Sequence, residues 1–128
     1  MANATYPEDL QYHPEHDWAR IEGEEATFGI TWFAQDQLGE VVFFDPPKIG
    51  AEITKDEPYA EVESVKAVSD VFAPLSGEII EVNETLADKP ETINEDPYGD
   101  GWLVKVRLSN PSEADQLMDA ASYEASLE

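Results

Sequence analysis

Lys66 is the residue in this sequence best placed to do chemistry. It is the only basic residue between Lys55 and Lys89, and it lies in Glu61-Val-Glu-Ser-Val-Lys-Ala-Val-Ser-Asp70, midway between two β-prone runs of similar length. That spacing predicts a position near a hairpin tip. A primary amine protruding from stiff strands is a handle on which a long cofactor arm can be hung through an amide bond. The plainer reading is an exposed strand lysine, which is commonplace on protein surfaces. Spacing alone leaves both open, and the Val65-Lys66 pair lacks the Asn, Asp or Gly that two-residue hairpin turns favour.

Other candidate chemistry is thin. The His13-x-x-His16-Asp17 cluster could suggest a metal, but the chain has no further histidine and no cysteine to complete a zinc shell, so a solvated or packing role is expected. The run Asp96-Pro-Tyr-Gly-Asp-Gly101 resembles a calcium loop only faintly: its third position is Tyr98 and its twelfth, where a bidentate glutamate is needed, is Arg107. It reads better as an ordered turn. Histidines only at 13 and 16 make no credible Ser-His-Asp set, and no glycine-rich phosphate loop precedes a helix. Zero cysteine removes disulfides, thiolate ligands and thiol nucleophiles, so any redox chemistry must be borrowed from a cofactor. No catalytic constellation is expected.

The elements that must position Lys66 are mostly strands. Asp17-Trp-Ala-Arg-Ile and Ala26-Thr-Phe-Gly-Ile-Thr read as a hairpin across the turn Glu22-Gly-Glu-Glu. Thr31 can N-cap a short helix with Ala34 and Leu38 on one face and Gly39 as its left-handed terminator. Val41-Val-Phe-Phe returns to strand composition until Asp45-Pro-Pro stops it. Three strands are expected between Tyr59 and Val82, the last two separated by a Pro74-Leu-Ser-Gly77 turn. Residues 83–100, rich in Asn, Pro and Gly without a sustained period, read as a long ordered loop before the strand Trp102-Leu-Val-Lys-Val-Arg-Leu. A C-terminal amphipathic helix is expected to cap a sheet, with Asn110 as N-cap, Pro111 at the first position, Glu113 completing a capping box, and Ala114, Leu117, Met118 and Ala121 on its apolar face. Trp18, Phe28, Phe72 and Trp102 are expected in the core. Many short strands with few helices point to a small β-barrel or sandwich.

Composition bounds the partners. The 128 residues hold 29 acids against 7 bases, a formal charge of −22, with 41% hydrophobic residues. That is one domain with enough apolar surface for a core. No two basic residues are adjacent, which disfavours nucleic acid and anionic membranes as partners. The N-terminus has neither a basic n-region nor an apolar h-region, and no apolar run approaches a bilayer span, so a soluble, cytoplasmic protein is expected.

The segment Glu63-Ser-Val-Lys-Ala-Val-Ser-Asp70 with Ala73-Pro-Leu-Ser-Gly-Glu78 closely resembles the lipoylation segment of glycine cleavage system H proteins. His16-Asp-Trp18, Gly29-Ile-Thr31, Ala34-Gln-Asp-Gln-Leu-Gly39, Val82-Asn83 and Asn94-Glu-Asp-Pro-Tyr-Gly-Asp-Gly-Trp102 stand in the order that family uses, over roughly residues 10–125. Biotin carriers typically place methionines beside their lysine, whereas Lys66 has Val65 and Ala67.

The resemblance implies a mainly β barrel-sandwich hybrid, two small antiparallel sheets with a short and a C-terminal helix, forming one lipoyl-carrier domain. It implies lipoate in amide linkage on Lys66, with Glu63, Ser64, Val65, Ala67 and Asp70 as the attachment motif. It also implies an arm cleft to which Asp17 and Glu15 contribute alongside Asp70. The protein would be a carrier and not an enzyme, shuttling an aminomethyl group among the P protein (glycine dehydrogenase), the T protein (aminomethyltransferase) and the L protein (dihydrolipoamide dehydrogenase), and would be served by lipoate-attaching enzymes. Pro46, where leucine is usual, and Asp56, where glycine is common, predict a differently shaped 44–58 connection; Asp17 stands where glutamate is frequent. A lipoyl relay protein feeding other carriers, or an unmodified interaction module, are the rival readings.

Overall fold

Two antiparallel sheets sandwich the main core in the computed structural model, which describes residues 6–127. The strands are β1 (Gln11–His13), β2 (Asp17–Glu22), β3 (Glu25–Ile30), β4 (Val41–Asp45), β5 (Glu52–Ile53), β6 (Pro58–Ser64), β7 (Val68–Phe72), β8 (Gly77–Val82) and β9 (Val104–Leu108). The larger sheet runs β1-β2-β3-β9-β8-β5 and the smaller β4-β6-β7. Neither closes on itself, so the expected mainly β sandwich is what forms.

Trp18 and Ala19 are successive residues of β2 and therefore point to opposite faces of the large sheet. Ala19 joins Phe28, Val62, Leu75, Ile79 and Val104 in the core between the sheets. Trp18 joins Leu10, Tyr12, Ala120 and Tyr123 in a second cluster on the outer face. Opposite Trp18 in the ladder stands Gly29, where a Cβ would come within 2.5–2.7 Å of the indole; only glycine lets the ring lie flat on the strand. The indole Nε1 donates to the Pro97 carbonyl at 3.0 Å. Phe28 is fully buried as expected, but Phe72 and Trp102 are only half-buried, and Trp102 carries Lys105 Nζ 5.2 Å from its ring centroid.

The Glu22-to-Glu25 hairpin turns on Gly23 (φ 66°), and Thr31 caps α1 (Trp32–Leu38) by accepting from Ala34 N at 3.2 Å. Gly39 terminates it at φ 82°. The structure departs from the sequence expectation in three respects. β1 and β5 were too short to carry a period. Residues 83–100 contain two single-turn helices, α2 (Thr85–Asp88) and α3 (Thr92–Glu95), each pinned by one buried side chain, Leu86 and Ile93. The Asp96–Gly101 segment is the ordered turn expected, with Asp96 Oδ2 accepting from Asp100 N.

The third departure is the C-terminus, which is not one helix. Pro111–Gln116 form a 3₁₀ turn, Leu117 is extended, and α4 (Ala120–Ser126) begins afresh with Asp119 accepting from Ser122 N at 2.8 Å. Met118 instead pairs with Tyr12 in an isolated bridge. Asn110 makes no side-chain cap, and Glu113 completes no capping box. Its carboxylate accepts from Ser76 N (2.8 Å) and Ser76 Oγ (3.0 Å), while Ser76 Oγ accepts from Lys55 N. A long-range carboxylate clamp has displaced the local one. Glu113→Ala is expected to cost about 1–3 kcal/mol by orphaning these donors, against the ~0.5–1 kcal/mol of a surface cap; urea unfolding distinguishes them.

Candidate functional site: a lysine tip beside an acid-lined cleft

Lys66 sits at the exposed tip between β6 and β7, with Glu63 paired to Val68 at the last rung. Neither Val65 nor Lys66 has a positive φ, so the turn is not one of the primed types that would demand Asn or Gly. Ser64 takes over instead. Its Oγ accepts from Lys66 N (3.3 Å) and Ala67 N (3.1 Å), and its backbone N–H donates to Ala67 O at 2.8 Å. The hydroxyl does the work of a turn residue. Val65 N also donates to Glu40 O at 3.1 Å, which ties the tip to the start of β4.

A second residue fixes that junction. Asn94, in α3, donates from Nδ2 to Gly39 O (2.8 Å) and Gln35 Oε1 (2.9 Å), and its Oδ1 accepts from Val41 N at 2.8 Å. One amide thus binds the end of α1 to β4, directly under the lysine. A Cβ on Gly39 would lie 3.5 Å from Lys66 Cε, so the lysine stem passes over that glycine. Among the described residues Lys66, like Arg20, Lys48 and Lys89, forms no ion pair, whereas Lys55, Lys105 and Arg107 are within 4 Å of a carboxylate.

Beside the tip opens a cleft of about 310 Å³ between the β1–β2 corner, α1 and β7. Phe33, Leu38, Val62 and Val71 supply apolar walls; Glu15, Asp17 and Asp70 supply carboxylates. Ala67 and Val68 line it as well, so the residue after the lysine leads straight into it. Glu15 and Asp70 are exposed at its rim. Asp17 is buried at 2% exposure, and its Oδ2 has no hydrogen-bond partner among the described residues. Burial pushes this carboxyl well above the ordinary aspartate range, helped by the charge of Glu15, against a hydrogen bond from Phe72 N. The Tyr59 hydroxyl is also buried and unpartnered, raised by burial and then by the charge of Asp17. An unpartnered buried polar atom is costly and rare.

The two histidines diverge. His13 is buried, with Nε2 2.6 Å from Asp56 Oδ1 and Nδ1 accepting from Glu15 N. Asp56 has φ 74°, the left-handed backbone that glycine favours, and the imidazole and Lys55 hold its carboxyl below the ordinary range. His16 (φ 75°) lines the cleft and meets Tyr123 OH at 2.7 Å, which in turn meets Thr31 Oγ1 at 2.8 Å. This chain couples α4 to the cap of α1. Burial lowers the His16 pKa despite Glu15.

Seven of the eight residues singled out from sequence, Lys66, Ala67, Ser64, Val65, Asp70, Asp17 and Glu15, thus meet at the tip or the cleft. Val65 shares the tip and projects to solvent; Glu63 lies on the outer face of the small sheet. Sequence reasoning gave no role to Asn94 or Tyr123. The only signal for Asn94 was its place in the Asn94-to-Trp102 motif.

A family model described as "Glycine cleavage H-protein" matches residues 10–128. The chain belongs to this family. The glycine cleavage system H protein of Symbiobacterium thermophilum is 55% identical over 122 residues, covering 95% of each chain. That of Bacillus subtilis is 52% identical over 120 residues, 94% of each. The crystal structure of a glycine cleavage system H protein from Mycobacterium marinum superposes with a TM-score of 0.87 at 38% identity, covering 94% of this chain and 98% of that one. The membership extends over the tip, the cleft and α4 alike, so the elements that position Lys66 are those of the family fold. No described helix is long and apolar enough to cross a membrane.

Proposed function

We propose that this protein is the lipoyl carrier of the glycine cleavage system, with lipoate in amide linkage on Lys66 Nζ. The observation that carries the reading is an amine, free of ion pairs, on a turn braced by Ser64, Glu40 and Asn94 beside a cleft with an unsatisfied buried carboxyl. When attached, the group would supply a dithiolane whose S–S bond opens as one sulfur takes up an aminomethyl group, and which would remain on Lys66 as a dithiol once that group is passed on. The residues of the chain do the rest. The braced tip restricts where the arm can swing, and Phe33, Leu38 and Val71 cover its apolar stem.

The cleft suits a loaded arm because that arm ends in an amine. A buried carboxyl with a raised pKa holds its proton until a cation arrives and then ionises against it. Asp17, with Glu15 and Asp70 at the rim, can hold an ammonium in a charge-assisted hydrogen bond and screen the adduct from water. The P protein would load the arm, the T protein would take the one-carbon unit, the L protein would reoxidise the dithiol, and a lipoate-attaching enzyme would charge Lys66. Attachment removes one cation and takes the formal charge from −22 to −23. Intact mass with peptide mapping of protein from its own cells is expected to show one lipoyl amide, on Lys66. Protein isolated wholly unmodified would overturn the reading.

A further inference from the structure

The outer face of the small sheet carries two rows that fit no internal purpose. Register places Phe43, Glu63 and Val68 opposite one another across β4, β6 and β7, and places Asp45, Glu61 and Asp70 opposite one another two residues further from the tip. Residues directly opposite share a face. Three carboxylates therefore stand in one row, and none is ion-paired among the described residues. Like charges directly opposite destabilise a sheet.

The row nearer the tip flanks Glu63 with apolar side chains where water would be expected. Val42, Phe43, Val65 and Val68 are between 47% and 68% exposed. Strict alternation would turn one of Val42 and Phe43 inward. The ladder slips between Val41 and Phe43, so both occupy the stretch opposite a single residue and both face out. A bulge that re-aims a side chain is a specific feature of a strand, and here it adds to an apolar patch around the lysine.

The geometry points to this face as the docking surface for the enzyme that loads the arm, seated through an apolar recess rimmed by Lys or Arg. The apolar residues supply contact beside Lys66, and the carboxylate row supplies the charge that a basic rim neutralises. This rests on the reading of Lys66 as the arm's attachment point. A second copy of this chain would bring the same carboxylate row and −22 charge to the contact, and an anionic lipid surface is repelled for the same reason. Repulsion retained within the free protein becomes attraction once a cationic partner binds.

The test uses holo protein, confirmed by intact mass, as the substrate of the purified glycine-decarboxylating enzyme. Val42→Ser with Phe43→Ser, and separately Asp45→Asn with Glu61→Gln, are compared with Glu22→Gln plus Glu24→Gln at the far end of β2. Val68 and Asp70 are left unchanged because they also line the cleft. Both face variants are expected to raise KM about tenfold with kcat within about twofold of the parent, while the far-end control matches the parent. The Asp45/Glu61 variant is also expected to melt at or above the parent temperature, because relieving repulsion stabilises the sheet. Its kcat/KM is expected to lose most of the salt dependence the parent shows between about 0.15 and 1 M, where the Debye length falls from ~8 to ~3 Å. Unchanged KM in both face variants, or self-association of the parent through this face in sedimentation, overturns the docking inference. A holo parent that the enzyme does not load at all overturns the functional reading itself.

Discussion

Lys66→Arg is expected to fold as the parent does and to carry no lipoate, with loss of the whole mass increment and of all arm-dependent transfer. The fold is spared because the tip is held by backbone groups and Ser64, not by the lysine amine: Ser64 Oγ accepts from the N–H of residue 66 whatever its side chain. The arginine stem can follow the same path over Gly39, where no Cβ obstructs it. The chemistry is lost because a guanidinium keeps the charge and reach but offers no nucleophilic amine near neutral pH. Melting within about 0.5 kcal/mol of the parent is the expectation for an exposed position. Peptide mapping that finds lipoate on Lys48, Lys55, Lys89 or Lys105 in this variant would move the site.

Asp17→Asn is expected to stabilise the protein at neutral pH while shortening the life of the loaded arm. The buried carboxyl has a raised pKa. Above about pH 3.9 an unfolded aspartate gives up its proton, whereas the folded one retains it, so stability falls as pH rises from there to the folded pKa and then levels. Asparagine has no such linkage, and its profile is expected to be flatter across that window. Its amide oxygen can still accept from Phe72 N, and the amide carries no charge to desolvate. Removing that linkage is worth about 1.4 kcal/mol for each unit by which the folded pKa is raised, or several degrees in Tm at this chain length, ~2–8 °C for the first 1 kcal/mol. The loaded arm, in contrast, loses its charged partner, and its aminomethyl group is expected to hydrolyse at least severalfold faster in free solution. A variant that melts lower than the parent and holds its adduct as long would remove Asp17 from the cleft's function.

Much of this fold could be read from local chemistry. The Thr31 cap, the Gly39 terminator, the Gly23 hairpin and the Pro74–Gly77 turn are each decided by a few neighbouring residues, and each stands where its residue types put it. The C-terminal segment shows the limit. Asn110, Pro111 and Glu113 make a sound helix start on local grounds, yet Glu113 bonds Ser76, 37 residues away, and Met118 bridges to Tyr12. Two short-range bonds compete there with long-range ones that tie the segment to β1 and to the β7–β8 connection, and the long-range set wins. The turn at Lys66 misled in the opposite direction: the missing Asn or Gly is replaced by the Ser64 hydroxyl, a donor-acceptor solution that propensity does not weigh.

The sequence by itself determined the amine at position 66, the β-rich class, the absence of thiols and the family resemblance, because residue types and short spacings carry all four. Only the tertiary structure decided that Asp17 would be buried with its Oδ2 unpartnered, that Asn94 would brace α1 against β4, and that three carboxylates would line up across one sheet face. Each of those depends on which strands become neighbours and in what register. A slip of one residue would turn Asp45, Glu61 or Asp70 to the opposite face; the hairpin that pairs Glu61 with Asp70 is local, but no local pattern specifies that β4 joins its other side or in what register.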